Sequence, residues 1–318
     1  MRALQVTEFK TAPSLVEVPM PEPAAGEIRV KVEACGLNFA DLLMIKGEYQ
    51  ETPALPFTLG MEIAGTVDAT GEGVSLTPGQ RVAIFGGQGG LADYAVAREE
   101  LCVPLPDAMP ATDAAAFQIA YGTSHLALVH RGALQADEKL LVLGAAGGVG
   151  LTAVEIGAAL GAEVIAVARG ADKLEVARKA GATHLIDAKD EALKDKLKAI
   201  GGVDMVYDPV GGDLAQVALR ACKRGARYLV IGFASGTVPE VKLNHLLVKN
   251  IALHGFYWGG YLAFDPGALK SSLSELFALY AEGKITPHIG LTADLDGAAD
   301  ALEKLRRRET TGKVVITP

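Results

Sequence analysis

Cysteine is scarce: Cys35, Cys102 and Cys222 are the only three in 318 residues, far apart and without a CxxC pair. A disulfide framework needs even, clustered cysteines, so the sequence points to a reducing compartment. Positive charge is also in short supply, with 30 Lys and Arg against 38 Asp and Glu and a net charge of −8. General nucleic-acid binding and binding to an anionic membrane surface both draw on Lys and Arg, so neither partner is expected. Long apolar runs are missing too. The uncharged stretches 114–130, 140–154 and 250–264 are interrupted by glycine or polar groups, and each falls short of the roughly 18–20 residues of a membrane helix. Met1-Arg2-Ala3-Leu4-Gln5-Val6 reads as the start of a strand and not as a signal peptide. A cytoplasmic globular chain is the expectation. Apolar material itself is plentiful at 50% of residues, which excludes disorder. At roughly 100–200 residues per domain, the length suggests two domains.

Residues 1 to about 115 lean towards β-structure. Arg29-Val30-Lys31-Val32-Glu33-Ala34 alternates, 63–67 and 81–85 are short strand-like runs, and Pro19, Pro21 and Pro23 mark a loop. Thr77-Pro78-Gly79-Gln80 reads as a turn. Near Ala114 the pattern changes. Apolar strands at 139–143, 163–168, 184–187, 203–207, 228–231 and 251–254 are interleaved with helices at 149–160, 172–180, 191–199 and 214–222. Continuous apolar strands separated by helices predict a parallel sheet covered on both faces, hence an α/β fold. After Gly267 come one or two helices and a last strand, Lys313–Thr317, expected to rejoin the first unit. The predicted division is 1–118 with 265–318, interrupted by 119–264.

The sharpest chemical signal is Leu141-Val142-Leu143-Gly144-Ala145-Ala146-Gly147-Gly148-Val149-Gly150. A strand ends, small residues turn the corner and a helix begins, an arrangement that lets backbone approach a pyrophosphate at a helix N-terminus. The ligand-free alternative is a tight strand-to-helix turn, but the full β-α-β context favours the nucleotide. An NAD enzyme carries an acidic residue after the second strand, about 20 residues on, for the ribose hydroxyls. Here Arg169 follows that strand and Lys173 comes one helical turn later. Two cations without an acid suit a 2′-phosphate, so NADPH is the expected cofactor. The plainer alternative leaves both cations solvated.

These residues resemble a family. Gly60-Met61-Glu62-Ile63-Ala64-Gly65, Val67, Gly71, Gly73, Val74 and Gly79-Gln80-Arg81-Val82 look like the medium-chain dehydrogenase/reductase pattern. Asn38-Phe39-Ala40-Asp41, the glycine turn, Asp208-Pro209-Val210-Gly211-Gly212 and Ile231-Gly232-Phe233-Ala234 are similar to its quinone oxidoreductase (zeta-crystallin-like) branch. The resemblance runs from about residue 2 to the carboxyl terminus. It implies a GroES-like β-rich catalytic domain interrupted by a doubly wound Rossmann domain. Glu155 and Ala158 depart from the branch, which usually has Gln and then Lys, Arg or Ser, and Ala188 stands where a Tyr is often found. Lys173 matches the family's phosphate-binding Lys.

Zinc alcohol dehydrogenases of the superfamily take a Cys where this chain has Asn38 and a His where it has Met61. Neither is a usual zinc ligand. The region at 86–90 is a short glycine loop and not a four-Cys lobe, and His125 and His130 fall on different faces of a helix. No metal is expected. Without a Lewis acid, the favoured substrate delocalises incoming charge itself, as a quinone or conjugated enone does. By resemblance, Asn38 lies beside the nicotinamide and can hydrogen-bond the substrate oxygen, and Tyr49 sits at the substrate mouth. Their plain alternatives are a loop Asn satisfying backbone and a half-buried packing Tyr. Asp41 reads as a structural carboxylate and not as a base. Gly232, Phe233 and Ala234, with Phe256, Tyr257 and Trp258, are implied to hold the carboxamide by their backbone, and the three aromatics either roof a flat substrate or form core. Tyr121 borders the cofactor cleft. Lys313 either reaches the cofactor or faces solvent. Arg306, Arg307 and Arg308 suit a helix C-terminus. The alternatives for function are an enoyl-thioester (acyl-CoA) reductase and a non-catalytic NADPH-binding sensor or structural protein. The resemblance implies a homodimer, since an apolar strand such as 251–254 would otherwise leave an exposed sheet edge.

Overall fold

The computed structural model describes residues 1–85 and 88–318; Gly86 and Gly87 of the glycine loop expected at 86–90 lie outside the described residues. The chain divides into two compact units, one of residues 1–119 and 287–318 and one of residues 120–286.

The first unit is built on the strand Glu27–Leu37, in which Ile28, Val30, Val32 and Ala34 are buried in alternation with more exposed neighbours. That period of two gives one core face and one outer face. The strand pairs antiparallel with Glu62–Thr70 and Tyr94–Arg98 in a seven-stranded sheet. On its other flank Val314, Val315 and Ile316 pair with Leu37, Gly36 and Cys35, so the last strand does rejoin the first unit. The amphipathic helix Ala298–Arg307 buries Ala298, Ala301 and Leu302 and carries Arg306 and Arg307 in its last turn. A smaller sheet sets Arg2–Val6 between Ser14–Glu17 and Phe57–Thr58. Gly36 lets Ala115 approach: a Cβ there would lie 1.9 Å from the Ala115 carbonyl oxygen. This contact places Asn38, at the start of the helix Phe39–Lys46, beside the strand carrying Glu62.

The second unit holds a six-stranded parallel sheet in the order His184–Asp187, Glu163–Ala168, Lys139–Leu143, Val203–Asp208, Cys222–Val230, Ala252–Gly255. This is the doubly wound order, whose topological switch lies after the Lys139–Leu143 strand. Leu140 to Leu143 and Val164 to Val167 are all buried, as strands covered on both faces must be. The helices Gly148–Ala159, Ala171–Lys179, Leu193–Ala199, Gly212–Ala221 and Leu243–Lys249 lie in the five crossovers.

The second boundary differs from the predicted 264/265. Residues 265–286 belong with the sheet before them. Asp265 caps the helix Pro266–Ala281 through the Ala268 N–H. The helix buries Leu269, Leu273 and Leu276, and its Ser272 Oγ lies 2.9 Å from His125 Nδ1. Burial pushes the His125 imidazole down in pKa, against the Glu275 carboxylate, so the contact is made by a neutral ring. No helix among the described residues is long and apolar enough to cross a membrane.

Candidate functional site

The glycine turn is open where a ligand would approach and closed where helix meets strand. Gly144 sits at φ +63°, the Gly147 N–H donates to the Gly144 carbonyl at 2.9 Å, and the helix begins at Gly148. A Cβ on Gly150 would lie 2.2 Å from the Gly144 oxygen, so this position fixes close helix–strand packing. A Cβ on Gly147 would meet only that oxygen, at 3.4 Å, which leaves its outer side free. Ala145 and Ala146 are buried beneath, and the first-turn N–H groups of Gly148, Val149 and Gly150 have no acceptor within the helix. Ser124 Oγ braces the turn from below, 2.9 Å from the Val149 carbonyl, 2.7 Å from Thr152 Oγ1 and 2.9 Å from the Tyr207 hydroxyl. An open glycine cradle with unspent N–H donors fits a dinucleotide pyrophosphate.

At the end of the next strand Arg169 and Gly170 are exposed and Lys173 is half-buried. A carboxylate not anticipated from the sequence lies close by. Asp187 accepts the Gly170 N–H at 2.9 Å and the Lys189 N–H at 2.8 Å. These two bonds hold the Asp187 carboxyl below the usual range. Its oxygens therefore shape the turn, while the Arg169 guanidinium stays at the surface.

In the first unit the expected residues Asn38 and Lys313 meet at an unexpected third, Glu62. Lys313 is not solvent-facing. It is 3% exposed, and its ammonium donates to the Leu37 carbonyl at 2.9 Å, Asn38 Oδ1 at 2.8 Å and Glu62 Oε2 at 2.7 Å. All three ammonium hydrogens are thereby used. Glu62 is fully buried; its Oε1 accepts the Ile119 N–H at 2.8 Å, and its Oε2 also accepts from Asn38 Nδ2 at 3.0 Å. The second Nδ2 hydrogen points to the Gly36 carbonyl at 3.3 Å. Because Lys313 can only donate, the Asn38 amide is fixed with its oxygen towards the ammonium. The Asn38 side chain is thus engaged by Lys313, Glu62 and the Gly36 carbonyl, and it closes a capping box with Asp41 at the start of the helix Phe39–Lys46. Asp41, fully buried, accepts the Asn38 N–H at 2.7 Å and the Gly60 N–H at 3.3 Å. Burial nevertheless pushes its carboxyl up to about 6. This is a structural carboxylate.

Zinc chemistry does not fit this donor set. Asn38 is committed to Lys313 and Glu62, and Met61 is buried in the hydrophobic core. A dication would compete with a buried ammonium for the same oxygens. Among the described residues no group of three His, Cys, Asp or Glu side chains could hold an ion. Cys35 is buried in the core, with its thiol pushed well up by burial.

The remaining candidates separate by exposure. Phe256 and Trp258 are buried: the Phe256 ring lies 5.6 Å from that of Tyr261, and Trp258 Nε1 would lie 2.7 Å from a Cβ on Gly122. Of the three consecutive aromatics only Tyr257 is exposed, so the structure departs from an aromatic roof of three. Phe233 is exposed in a loop where the Gly232 N–H donates to the Asp208 carbonyl and the Ala234 N–H to the Pro209 carbonyl. Tyr121 is buried and turns its hydroxyl to Glu155 Oε2 at 2.5 Å, away from a role as a free donor. Tyr49 is half-buried and packs against the core of the first unit.

Two family models match the chain. Residues 24–107 match the alcohol dehydrogenase GroES-like domain, and residues 148–278 match the zinc-binding dehydrogenase domain. The chain is 38% identical to quinone oxidoreductase-like protein 2 of Bos taurus, over 99% of its own length and 92% of that protein's. Its fold is similar to that of Escherichia coli quinone oxidoreductase complexed with NADPH, with a TM-score of 0.93 and 31% identity over 100% of both chains. It is also similar to the quinone oxidoreductase of Thermus thermophilus, characterised with NADPH as well, at a TM-score of 0.89 and 32% identity over 100% of both chains.

Proposed function

Because the chain belongs to the quinone oxidoreductase family of medium-chain dehydrogenases/reductases, we propose that it transfers hydride from NADPH to a quinone or conjugated enone without a metal. The observation that carries this reading is the closed Lys313–Glu62–Asn38 cluster, which spends on an internal ammonium the oxygens a Lewis acid would need. A substrate served by such a site must delocalise the incoming electron pair itself. When bound, the reduced nicotinamide supplies the hydride. The first-turn N–H groups of the Gly148–Ala159 helix hold the pyrophosphate, and Arg169 with Lys173 favours the 2′-phosphate. Asp187 is no obstacle, since its two oxygens serve backbone N–H groups.

We further propose a homodimer through the Ala252–Gly255 edge strand, which is flanked by the exposed side chains of Leu243, Leu247, Val248 and Leu253. Three free thiols, two of them buried, favour a reducing compartment.

The test mixes protein with NADPH or NADH and follows the reduced-nicotinamide absorbance with a simple quinone, a conjugated enone and an enoyl thioester. Rapid NADPH loss with quinone or enone, indifferent to a chelator, is expected. Loss mainly with the thioester moves the substrate class to acyl-CoA. No loss with any acceptor, while NADPH still binds, turns the reading to a sensor or structural protein.

A further inference from the structure

The Gly148–Ala159 helix also holds both ends of the second unit. The chain enters that unit at Ala120 and leaves it after Thr286. Glu155 reaches both places: its Oε2 accepts the Tyr121 hydroxyl at 2.5 Å, and its Oε1 accepts the Thr286 backbone N–H at 2.7 Å. One turn earlier on the same helix face, Thr152 Oγ1 lies 3.1 Å from the Ala120 carbonyl. The side chains that grip the crossings therefore rise from the helix that begins at the glycine turn.

The chemistry suits a clasp. Tyr121 is 1% exposed, and Glu155 is half-buried. Burial pushes the Glu155 carboxyl up, while the hydroxyl and the N–H hold it down. Both donors are neutral, and an ionised acceptor strengthens each bond. The carboxylate offers one oxygen to each segment. A Gln side chain, which the branch usually has here, can still hold both segments, accepting the Thr286 N–H at its oxygen and donating an amide hydrogen to the Tyr121 oxygen, with neutral bonds only.

We propose that Glu155 is a positioning residue that clasps the entry and exit segments of the second unit to the cofactor helix. The chain passes from one unit to the other at those two crossings, and Glu155 holds the second-unit side of both. Its effect on turnover rests on the hydride-transfer reading, but the clasp itself does not.

The test compares Glu155→Leu with Glu155→Gln in the full chain, by amide hydrogen exchange, NADPH binding and steady-state kinetics. A hydrogen bond to a charged group is worth enough that losing it speeds exchange of the Thr286 amide about ten- to a hundredfold. In E155L that loss is expected while the amides of the Lys139–Leu143 strand keep their protection. E155Q retains an oxygen for Thr286 and restores protection to within about threefold. With NADPH and a quinone, kcat is expected to fall in E155L and to recover in E155Q, at unchanged NADPH affinity. Unchanged Thr286 exchange in E155L overturns the proposal. So does protection lost equally from the strand amides, or an unaltered kcat once Thr286 has been released. If E155L does not fold, Tyr121→Phe replaces it: lowered kcat at unchanged NADPH affinity supports the clasp, and unchanged kcat overturns it. If NADPH is not oxidised by the wild-type protein in the presence of a quinone, an enone or an enoyl thioester, the hydride-transfer reading fails, and Thr286 exchange alone decides the clasp.

Discussion

Lys313→Met isolates the charge at the centre of the first unit. The substitution keeps an unbranched, apolar side chain of similar length and removes the ammonium. Three acceptors lose their donor: the Leu37 carbonyl, Asn38 Oδ1 and Glu62 Oε2. Both members of the ion pair are buried, Glu62 completely and Lys313 to within 3% exposure. Little solvent screening applies, and removing one partner of such a pair costs about 3–5 kcal/mol, because the other charge is left desolvated and unpaired. Glu62 keeps only the Ile119 N–H and the Asn38 amide. That loss is a large share of the roughly 5–15 kcal/mol that stabilises an ordinary domain. The only tryptophan, Trp258, lies in the second unit and cannot report the effect. Hydrogen exchange in the Glu27–Leu37 strand, with urea unfolding by far-UV circular dichroism, reads the first unit directly. Adding Glu62→Gln to Lys313→Met removes the stranded charge and should restore about 2 kcal/mol or more. A loss below about 1 kcal/mol in K313M, or a double variant no more stable than K313M, refutes the argument from a buried, charge-paired cluster.

The two glycines of the turn should respond oppositely. Gly150→Ala forces a Cβ to 2.2 Å from the Gly144 oxygen and should destabilise the second unit by about 1–3 kcal/mol, whereas Gly147→Ala meets only a 3.4 Å contact. G147A should therefore keep its melting temperature while its NADPH affinity falls about tenfold or more, measured by fluorescence titration. Asp41 has a native pKa raised from 3.8 to about 6, so the native state binds the extra proton and loses stability as pH rises through that window. Relative to Asp41→Asn, which cannot ionise, the wild type should lose on the order of 3 kcal/mol between about pH 4 and pH 7 in urea unfolding. A flat difference across that range contradicts the assignment. Leu247→Asp puts a charge on the exposed face beside the edge strand. It should convert a dimer to a monomer by light scattering, and a wild type that is already monomeric removes the proposed interface.

The second unit was readable from its sequence because its signals are local. Consecutive apolar residues define the Lys139–Leu143 strand at the expected positions, and the expected helix 149–160 forms as Gly148–Ala159. The helix Pro266–Ala281 was expected elsewhere because amphipathic spacing shows that a helix has a buried face but not which sheet that face covers. Leu269, Leu273 and Leu276 answer that only once folded. The strand Ile289–Asp294 went unpredicted: none of its residues is fully buried, and it carries no apolar run. The short helix Leu243–Lys249 has no buried residue and thus no core-facing stripe to find.

The site was harder to read, because its decisive contacts join residues far apart in the chain. Two local oddities were visible: Glu62 stands between Met61 and Ile63 in an apolar strand, and Lys313 leads the apolar run Val314-Val315-Ile316. Opposite charges in core strands of one unit need partners, since an unpaired buried charge is too costly to keep. That argument could have joined them without a structure. It could not have supplied Asn38, whose amide is oriented by the pair at a sequence separation of 275. Residue type at a family position shows which group is present there. Whether that group offers a hydrogen or a lone pair is set by its neighbours. At Asn38 the neighbours are a donor-only ammonium on one side and a carboxylate on the other, so the oxygen faces Lys313 and the amide hydrogens face Glu62 and the Gly36 carbonyl.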